Sequence, residues 1–281
     1  MKRLQHNLAL FLAILGGGVV FLILTFLLVP SSELQRLAAR GLASQGLTLT
    51  AADFGKAFPI GISARKLTLA GEKGALISFD RLSVRLRLLP LLAGRVVIAG
   101  KGSIGAGTLH GELELTRTGG VEIDGQGIRL EDIPFFSTVA DTRAKGNLWL
   151  RGSVRGTGGM AKGNLQLEVK DLDLRGVKIS GIPLPDAGYK KLQGMLRIAG
   201  GRLTLDSVTL DGEELYVRLS GNLPVGVAPA AAPLNLTVEM MPKPEFMEHQ
   251  KFVFLLLTKY LTTPGHYQLP IRGTLARPEL Q

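Results

Sequence analysis

Residues 146–169 read GNLWLRGSVRGTGGMAKGNLQLEV. Leu148 and Leu150 alternate around Trp149, a glycine-rich run follows, and Leu165, Leu167 and Val169 then alternate around Gln166 and Glu168. Successive side chains of a strand point to opposite sides, so an apolar residue at every second position gives one dry face and one wet face. Glycine between two such segments supplies the backbone freedom of a tight turn. The stretch therefore reads as two antiparallel strands and their turn, with the phrase GNL used twice.

The same rhythm runs outward in both directions. Leu47 and Leu49 alternate with threonines, and Leu67 and Leu69 do so in KLTLAG. Leu82, Val84, Leu86 and Leu88 alternate with Ser83, Arg85 and Arg87, and Leu113 and Leu115 with Glu112 and Glu114. Beyond the opening stretch come Leu172, Leu174, Val177 and Ile179, then Leu203 and Leu205, then Leu215, Val217 and Leu219. One face of each strand is aliphatic and the other charged, which predicts a mainly β chain with a large, mostly antiparallel sheet. No strict period repeats, so a solenoid of identical units is not indicated.

The chain has 281 residues, enough for one large β domain or two small ones. Glycine is abundant at 36 while aromatics are only 6%, which favours many short strands over a tight aromatic core. The absence of cysteine excludes disulfides, cysteine-based zinc sites and thiol catalysis. The formal charge of +10 describes a solvated basic surface, or attraction to anionic headgroups or an acidic partner.

From Leu8 to Val29 the chain carries no charge. About 22 residues make roughly 33 Å of helix, enough to span a bilayer core. Lys2 and Arg3 precede it, so the N-terminus (1–7) is expected in the cytoplasm, 8–29 as an uncleaved anchor, and 30–281 as a β-rich domain outside the inner membrane, in the periplasm of a Gram-negative cell. That placement argues against nucleic acid as a partner. The apolar run exceeds that of a signal peptide and no A-x-A site follows it.

A short helix precedes the β pattern, which starts at Leu47, and three interruptions break it. Ser32-Glu33-Leu34-Gln35 resembles a capping box opening a short helix that ends at Gly41 or Gly46. Leu88–Gly94, LLPLLAG, reads as an apolar turn or short helix between strands. Pro224–Pro233 is an Ala/Pro-rich loop or hinge, and Pro244–Leu261 an amphipathic helix presenting Phe246, Phe252, Val253, Leu256, Leu257 and Tyr260. YQLPIRGTLARPELQ closes the chain as a strand or hairpin.

Catalytic and cofactor signals are weak. GKGSIG at Gly100–Gly105 matches G-x-G-x-x-G, but the dinucleotide reading needs a helix next, and AGTLHGELELT reads as strand. The histidines, His6, His110, His249 and His266, lack metal-pair spacing. Glu245 and His249 share a helix face at i, i+4 and could seat a metal or a base, although a solvated ion pair accounts for them. Asp171 and Asp173 follow from simple alternation on a charged strand face. Trp149, opposite its leucines, either covers a sheet edge or anchors an interface. No catalytic, metal or cofactor-binding residue is assigned, and no enzyme activity or cofactor is expected.

An N-terminal anchor followed by RLSVRLRLLPLLAGRVVIAG resembles the AsmA-like envelope proteins, in which a strand leads through a short connector to another strand. The closing IRGTLARPEL resembles the G-T-L-x-x-P strand that ends that superfamily. The order of VEIDGQGIRLEDIPFF, the paired GNL strands, VKISGIPLP, GGRLTLDSVTLDGEELYVRLSGNLPV, PLNLTVEMMPKP and a helix before the G-T-L ending is similar to the type II secretion system protein N family (general secretory pathway protein N). The resemblance covers essentially the whole chain, although each motif alone carries little information. It implies a curved AsmA-like sheet, a half-tube or sandwich, with a few short helices behind a single anchor. It also implies a non-enzymatic, periplasm-facing inner-membrane accessory of the machine that exports folded proteins, with other subunits of that machine as partners. Kinship with lipid-handling proteins implies an alternative, lipid binding or transfer, in which Leu82, Val84, Leu86, Leu165, Leu167, Leu203 and Leu205 line an apolar groove and phospholipid is the partner.

Overall fold

A computed structural model describes residues 21, 23–44, 46–115, 119–156, 158–179, 181–224, 232–274 and 277–281. The strands are β1 (Thr48–Thr50), β2 (Asp53–Lys56), β3 (Gly61–Gly71), β4 (Gly74–Leu86), β5 (Val97–Ile104), β6 (Gly107–Glu114), β7 (Gly120–Arg129), β8 (Arg143–Arg155), β9 (Lys162–Arg175), β10 (Lys178–Ile179), β11 (Ile182–Pro183), β12 (Ala187–Ala199), β13 (Arg202–Asp211), β14 (Leu215–Pro224), β15 (Asn235–Pro242), β16 (Leu261–Thr263), β17 (His266–Thr274) and β18 (Arg277–Leu280). All but the β10–β11 ribbon belong to one 16-stranded sheet, which runs β1-β3-β4-β5-β6-β7-β8-β9-β12-β13-β14-β15-β17-β16 with β2 on β3 and β18 on β17. Every pairing is antiparallel, and from β3 onward nearly every neighbour in space is a neighbour in sequence. The chain is thus mainly β, and the quoted GNL pair is β8 and β9, in register from Arg143↔Arg175 to Arg155↔Lys162.

The apolar face survives several phase changes in the alternation. In β9, Val169 and Leu172 are both buried while Lys170 and Asp171 between them are exposed, and Asp171 takes φ +53. In β3, Ala64 and Leu67 are buried around exposed Arg65 and Lys66 (φ +48). Gly125 and Ile128 flank Gln126 and Gly127 in the same way in β7, where the register with β8 shifts. Between Leu205 and Val208 in β13 the register shifts again. The change of phase in β3 is matched in β4, and the others are bulges. The extra residue keeps the aliphatic set on one side and bends and twists the strand. It also explains why Leu165, Leu167 and Val169 fall on odd numbers but Leu172 and Leu174 on even ones.

Helices cap this face at two places. The core under β8–β17 holds Val169, Tyr189, Val217, Met240 and Leu269, and against it pack Phe246, Phe254, Leu257 and Tyr260. A second cluster holds Ala64, Leu67, Phe79, Ile104 and Ile128, and both clusters touch Ile133 and Leu148. Phe254 stacks edge-on to Phe246 at 5.9 Å and tilts on Tyr267 at 5.3 Å. The single helix expected over 244–261 is instead α4 (Pro244–His249) and α5 (Lys251–Leu256), followed by a 3-10 turn, Thr258–Tyr260. The break is at Gln250. Its side-chain amide donates to the Asp186 carbonyl at 2.6 Å and accepts from the Asp186 N–H at 3.2 Å, pinning the helix pair to the start of β12. The break also changes the buried set, since Phe254 points inward and Phe252 outward.

Near the N-terminus, α1 (Ser31–Ala43) has Pro30 at its cap and no side-chain capping bond, so the expected capping box does not form. Gly41 lies within the helix. Termination comes at Gly46 (φ +75), with Leu47 N–H bonding the Leu42 carbonyl and Gly46 N–H that of Ala43, both at 3.0 Å. Leu88–Leu92 forms α2 between β4 and β5, and Phe135–Thr138 forms α3. Most of the expected span, from Leu8 onward, lies outside the described residues. Its described end, 23–28, is helical and leaves Leu24 and Leu28 exposed. Among the described residues no helix is long and apolar enough to cross a membrane. Most of the 224–233 segment is likewise outside them.

Burial pushes the Tyr189 phenol above the ordinary tyrosine range. The folded chain holds this proton more tightly than the unfolded one, so the contribution is intact below about pH 10 and is lost as pH rises from there towards the folded value. Alkaline titration of stability should therefore fall less steeply in Tyr189→Phe than in the wild type. An unchanged slope in the urea midpoint between pH 9 and 11 would count against it.

Candidate functional site

The register assembles the aliphatic residues into rows that cross the sheet. One row runs Ala64, Leu82, Gly102, Leu109, Gly125, Leu150, Leu167, Gly194. The next runs Ile62, Val84, Gly100, Gly111, Ile123, Gly152, Leu165, Leu196, Leu205, Gly221, Leu236, Ile271. A third runs Leu86, Ile98, Leu113, Val121, Val154, Gly163, Ile198, Leu203, Leu223. Cross-strand partners point the same way, so all seven residues proposed from sequence lie on one face. Leu82 and Leu167 share the first row, Val84, Leu165 and Leu205 the second, and Leu86 and Leu203 the third.

Glycines in these rows let leucines lie flat. A Cβ at Gly194 would sit 2.9 Å from Leu167 Cγ, one at Gly152 2.8 Å from Leu165 Cδ1, and one at Gly125 3.0 Å from Leu150 Cγ. Each leucine folds over the gap left by its glycine partner, so the face is a smooth aliphatic floor. This gives the glycine-led repeat its second role. Sequence reasoning proposed seven of these positions for the groove and named Leu113 and Leu150 in alternating strands; Leu109, Ile123, Leu196 and Ile198 are among those it missed. They carry the same period-two signal, but single glycines or a register shift interrupt it.

Cover over the floor is uneven. Leu205 is buried, whereas Leu82, Val84, Leu86, Leu165, Leu167 and Leu203 are only partly covered. At the far margin Leu113 is 38% and Val121 45% exposed. The helical cover has an apolar outside too, with Phe252 72% and Leu255 68% exposed. Both positions exceed what isolated surface apolar residues need to explain, because they sit beside other exposed apolar groups, Leu256 and Leu113's neighbour Leu115.

The opposite face is polar and carries most of the ion pairs. Arg151 donates to Asp124 at 2.7 Å, and Arg95 grips Glu114 through two nitrogens at 2.9 Å. The Arg151 guanidinium, with help from Gln126, holds the Asp124 carboxyl below its usual range. Arg151 also lies over the Trp149 ring at 5.6 Å, and Trp149 pairs with Glu168 in mid-sheet, so it does not cover an edge. Glu245 and His249 lie on exposed positions of α4. Asp171 is a bulge residue, and Asp173 is engaged by Arg175 at 3.1 Å. Gly100–Gly105 runs along β5 into a hairpin with β6, so no helix N-terminus follows the glycines. Among the described residues no three acidic or histidine side chains gather as a metal cluster. No family model, no curated protein and no solved structure matches this chain.

Proposed function

We propose that this chain is a non-enzymatic accessory or scaffold subunit of the type II protein secretion system. It would be anchored in the inner membrane by 8–29, with 1–7 in the cytoplasm and an AsmA-like sheet in the periplasm. The order of sequence motifs supports the family. The observation that carries an interaction role is the two-sided helix pair α4–α5. Its inner side (Phe246, Phe254) closes the core, while its outer side offers Phe252 and Leu255 to solvent. An apolar element that has already met the needs of its own fold, yet stays apolar outside, is suited to a protein partner. Photo-crosslinkers at Phe252 and Leu255 should capture inner-membrane subunits of the secretion apparatus, and deletion should impair export of folded substrates. Normal export without such adducts would refute the scaffold reading.

The partly covered floor favours a second reading, lipid binding in an apolar groove. Each side chain left wet there forfeits up to about 1.5–3 kcal/mol that an acyl chain would restore. If this is right, crosslinkers at the partly covered Leu165 and Leu203 capture phospholipid, and the purified chain retains it. Delipidated protein with crosslinks only to secretion subunits would exclude it.

A further inference from the structure

The polar face of β3, β4 and β5 carries a cluster that the proposed function does not use. Arg65 and Arg81 are directly opposite one another across the β3–β4 pair, and Arg85 and Lys101 flank Ser83 on the same face. Together they line a cleft of 760 Å³. Among the described residues, none of the four makes an ion pair or side-chain hydrogen bond, whereas other arginines on this face, Arg87, Arg95 and Arg151, are all paired with carboxylates. Asp53 pairs in register with Arg65 but forms no salt bridge with it. Directly opposed like charges about 5 Å apart destabilise a sheet, so an unrelieved Arg65–Arg81 pair is a standing cost.

Two further observations point inward. The Ser83 hydroxyl is shut off from solvent and has no hydrogen-bond partner, an expensive state for a donor beside four cations. Arg85 is positioned by a glycine, since a Cβ at Gly61 would sit 2.8 Å from Arg85 Cγ and 2.4 Å from the Val84 carbonyl oxygen. Guanidinium groups held on a rigid sheet, together with an amine and a spare hydroxyl, match a compact oxyanion with several acceptor oxygens.

We propose that Arg65, Arg81, Arg85, Lys101 and Ser83 form a binding site for a phosphate group. The phosphate could belong to an anionic lipid headgroup or to a soluble phosphate. The headgroup has a geometric argument: β2 borders the cleft, and Lys56 at its end donates to the Leu27 carbonyl where the apolar segment finishes. Only this lipid source rests on the membrane reading given above; the phosphate site does not.

The test is calorimetric titration of the full chain in neutral detergent. The probes are short-chain phosphatidylglycerol, short-chain phosphatidylcholine, glycerol 3-phosphate, inorganic phosphate and a glutamate-rich peptide. The expected result is binding of phosphate compounds that weakens at least about tenfold in R65Q/R81Q, the loss of two charge-assisted contacts, and by less than about twofold in K162Q/K178Q. R65Q/R81Q should melt no lower than wild type, because it removes a repulsion, so lost binding cannot be put down to lost folding. Phosphatidylglycerol binding more tightly than glycerol 3-phosphate assigns the lipid source, and equal affinities assign the soluble one. The proposal is overturned if no phosphate compound binds below about 1 mM. It is overturned equally if R65Q/R81Q binds as wild type does, or if the peptide is the tightest ligand. These outcomes are independent of the export and crosslinking results, so either idea can fail alone.

Discussion

Leu257→Asp is expected to leave the full chain unable to fold, while Leu255→Asp, two residues away, folds with stability within about 0.5 kcal/mol of wild type. Leu257 is 0% exposed, wedged among Phe254, Tyr260 and Leu269, and Leu255 is 68% exposed. Replacing a fully buried leucine by a small residue alone costs about 2–5 kcal/mol. An unpaired carboxylate adds the penalty of burying a charge, and the total approaches the whole stability of a typical domain, about 5–15 kcal/mol. Limited proteolysis of the detergent-solubilised protein reads the difference. Equal resistance of the two variants would mean that α5 does not dock on the sheet through this face. Leu255→Asp also has a functional use, since it should abolish partner crosslinks at Phe252 without unfolding the chain.

The second large effect is at Gly221, where β14 passes β15. The backbone there takes φ +138, a conformation that costs a residue with a side chain about 1–3 kcal/mol. A Cβ would also fall 2.2 Å from the Asn235 carbonyl oxygen and 2.8 Å from Leu236 Cα, both backbone atoms of the paired strand. Relief requires the strands to part, so Gly221→Ala should cost at least about 3 kcal/mol. Gly188→Ala is the matched control. Nothing lies within 4 Å of its Cβ position, and restricting the unfolded chain should leave it neutral or more stable by about 0.4–1 kcal/mol. Urea denaturation at constant m-value compares them, and coincident midpoints would show that the β14–β15 register has been misassigned.

Alternation was enough to read most strands and the aliphatic face, because burial of one side of a sheet forces a period of two on the sequence, while LLPLL stayed open between turn and helix and the C-terminal stretch between strand and hairpin. It was blind wherever a contact distant in sequence sets local structure. The break at Gln250 depends on Asp186, 64 residues earlier in the chain. The capping box at Ser32 looked complete, yet Pro30 caps the helix two residues sooner. Bulges at Gly127 and Asp171, and a matched change of phase in β3 and β4 at Lys66, shift the pattern without moving the buried face, so sequence alone shows a shift and not its cause.

The candidate sites divide in the same way. Which residues are aliphatic, and that they share a face, follows from the sequence by itself, since side-chain direction along a strand is fixed by the pleat. Which of them stay partly wet was decided by tertiary structure, through where two short helices dock and which strands they leave bare. Of the basic cleft, only the β4 row of Ser83 and Arg85 was legible from alternation, and the rest belongs to tertiary structure. Arg65, Arg81, Arg85 and Lys101 come from three strands, and their sequence separations say nothing of proximity. Antiparallel register brings them onto one surface, and register is set by the burial demands of the opposite face.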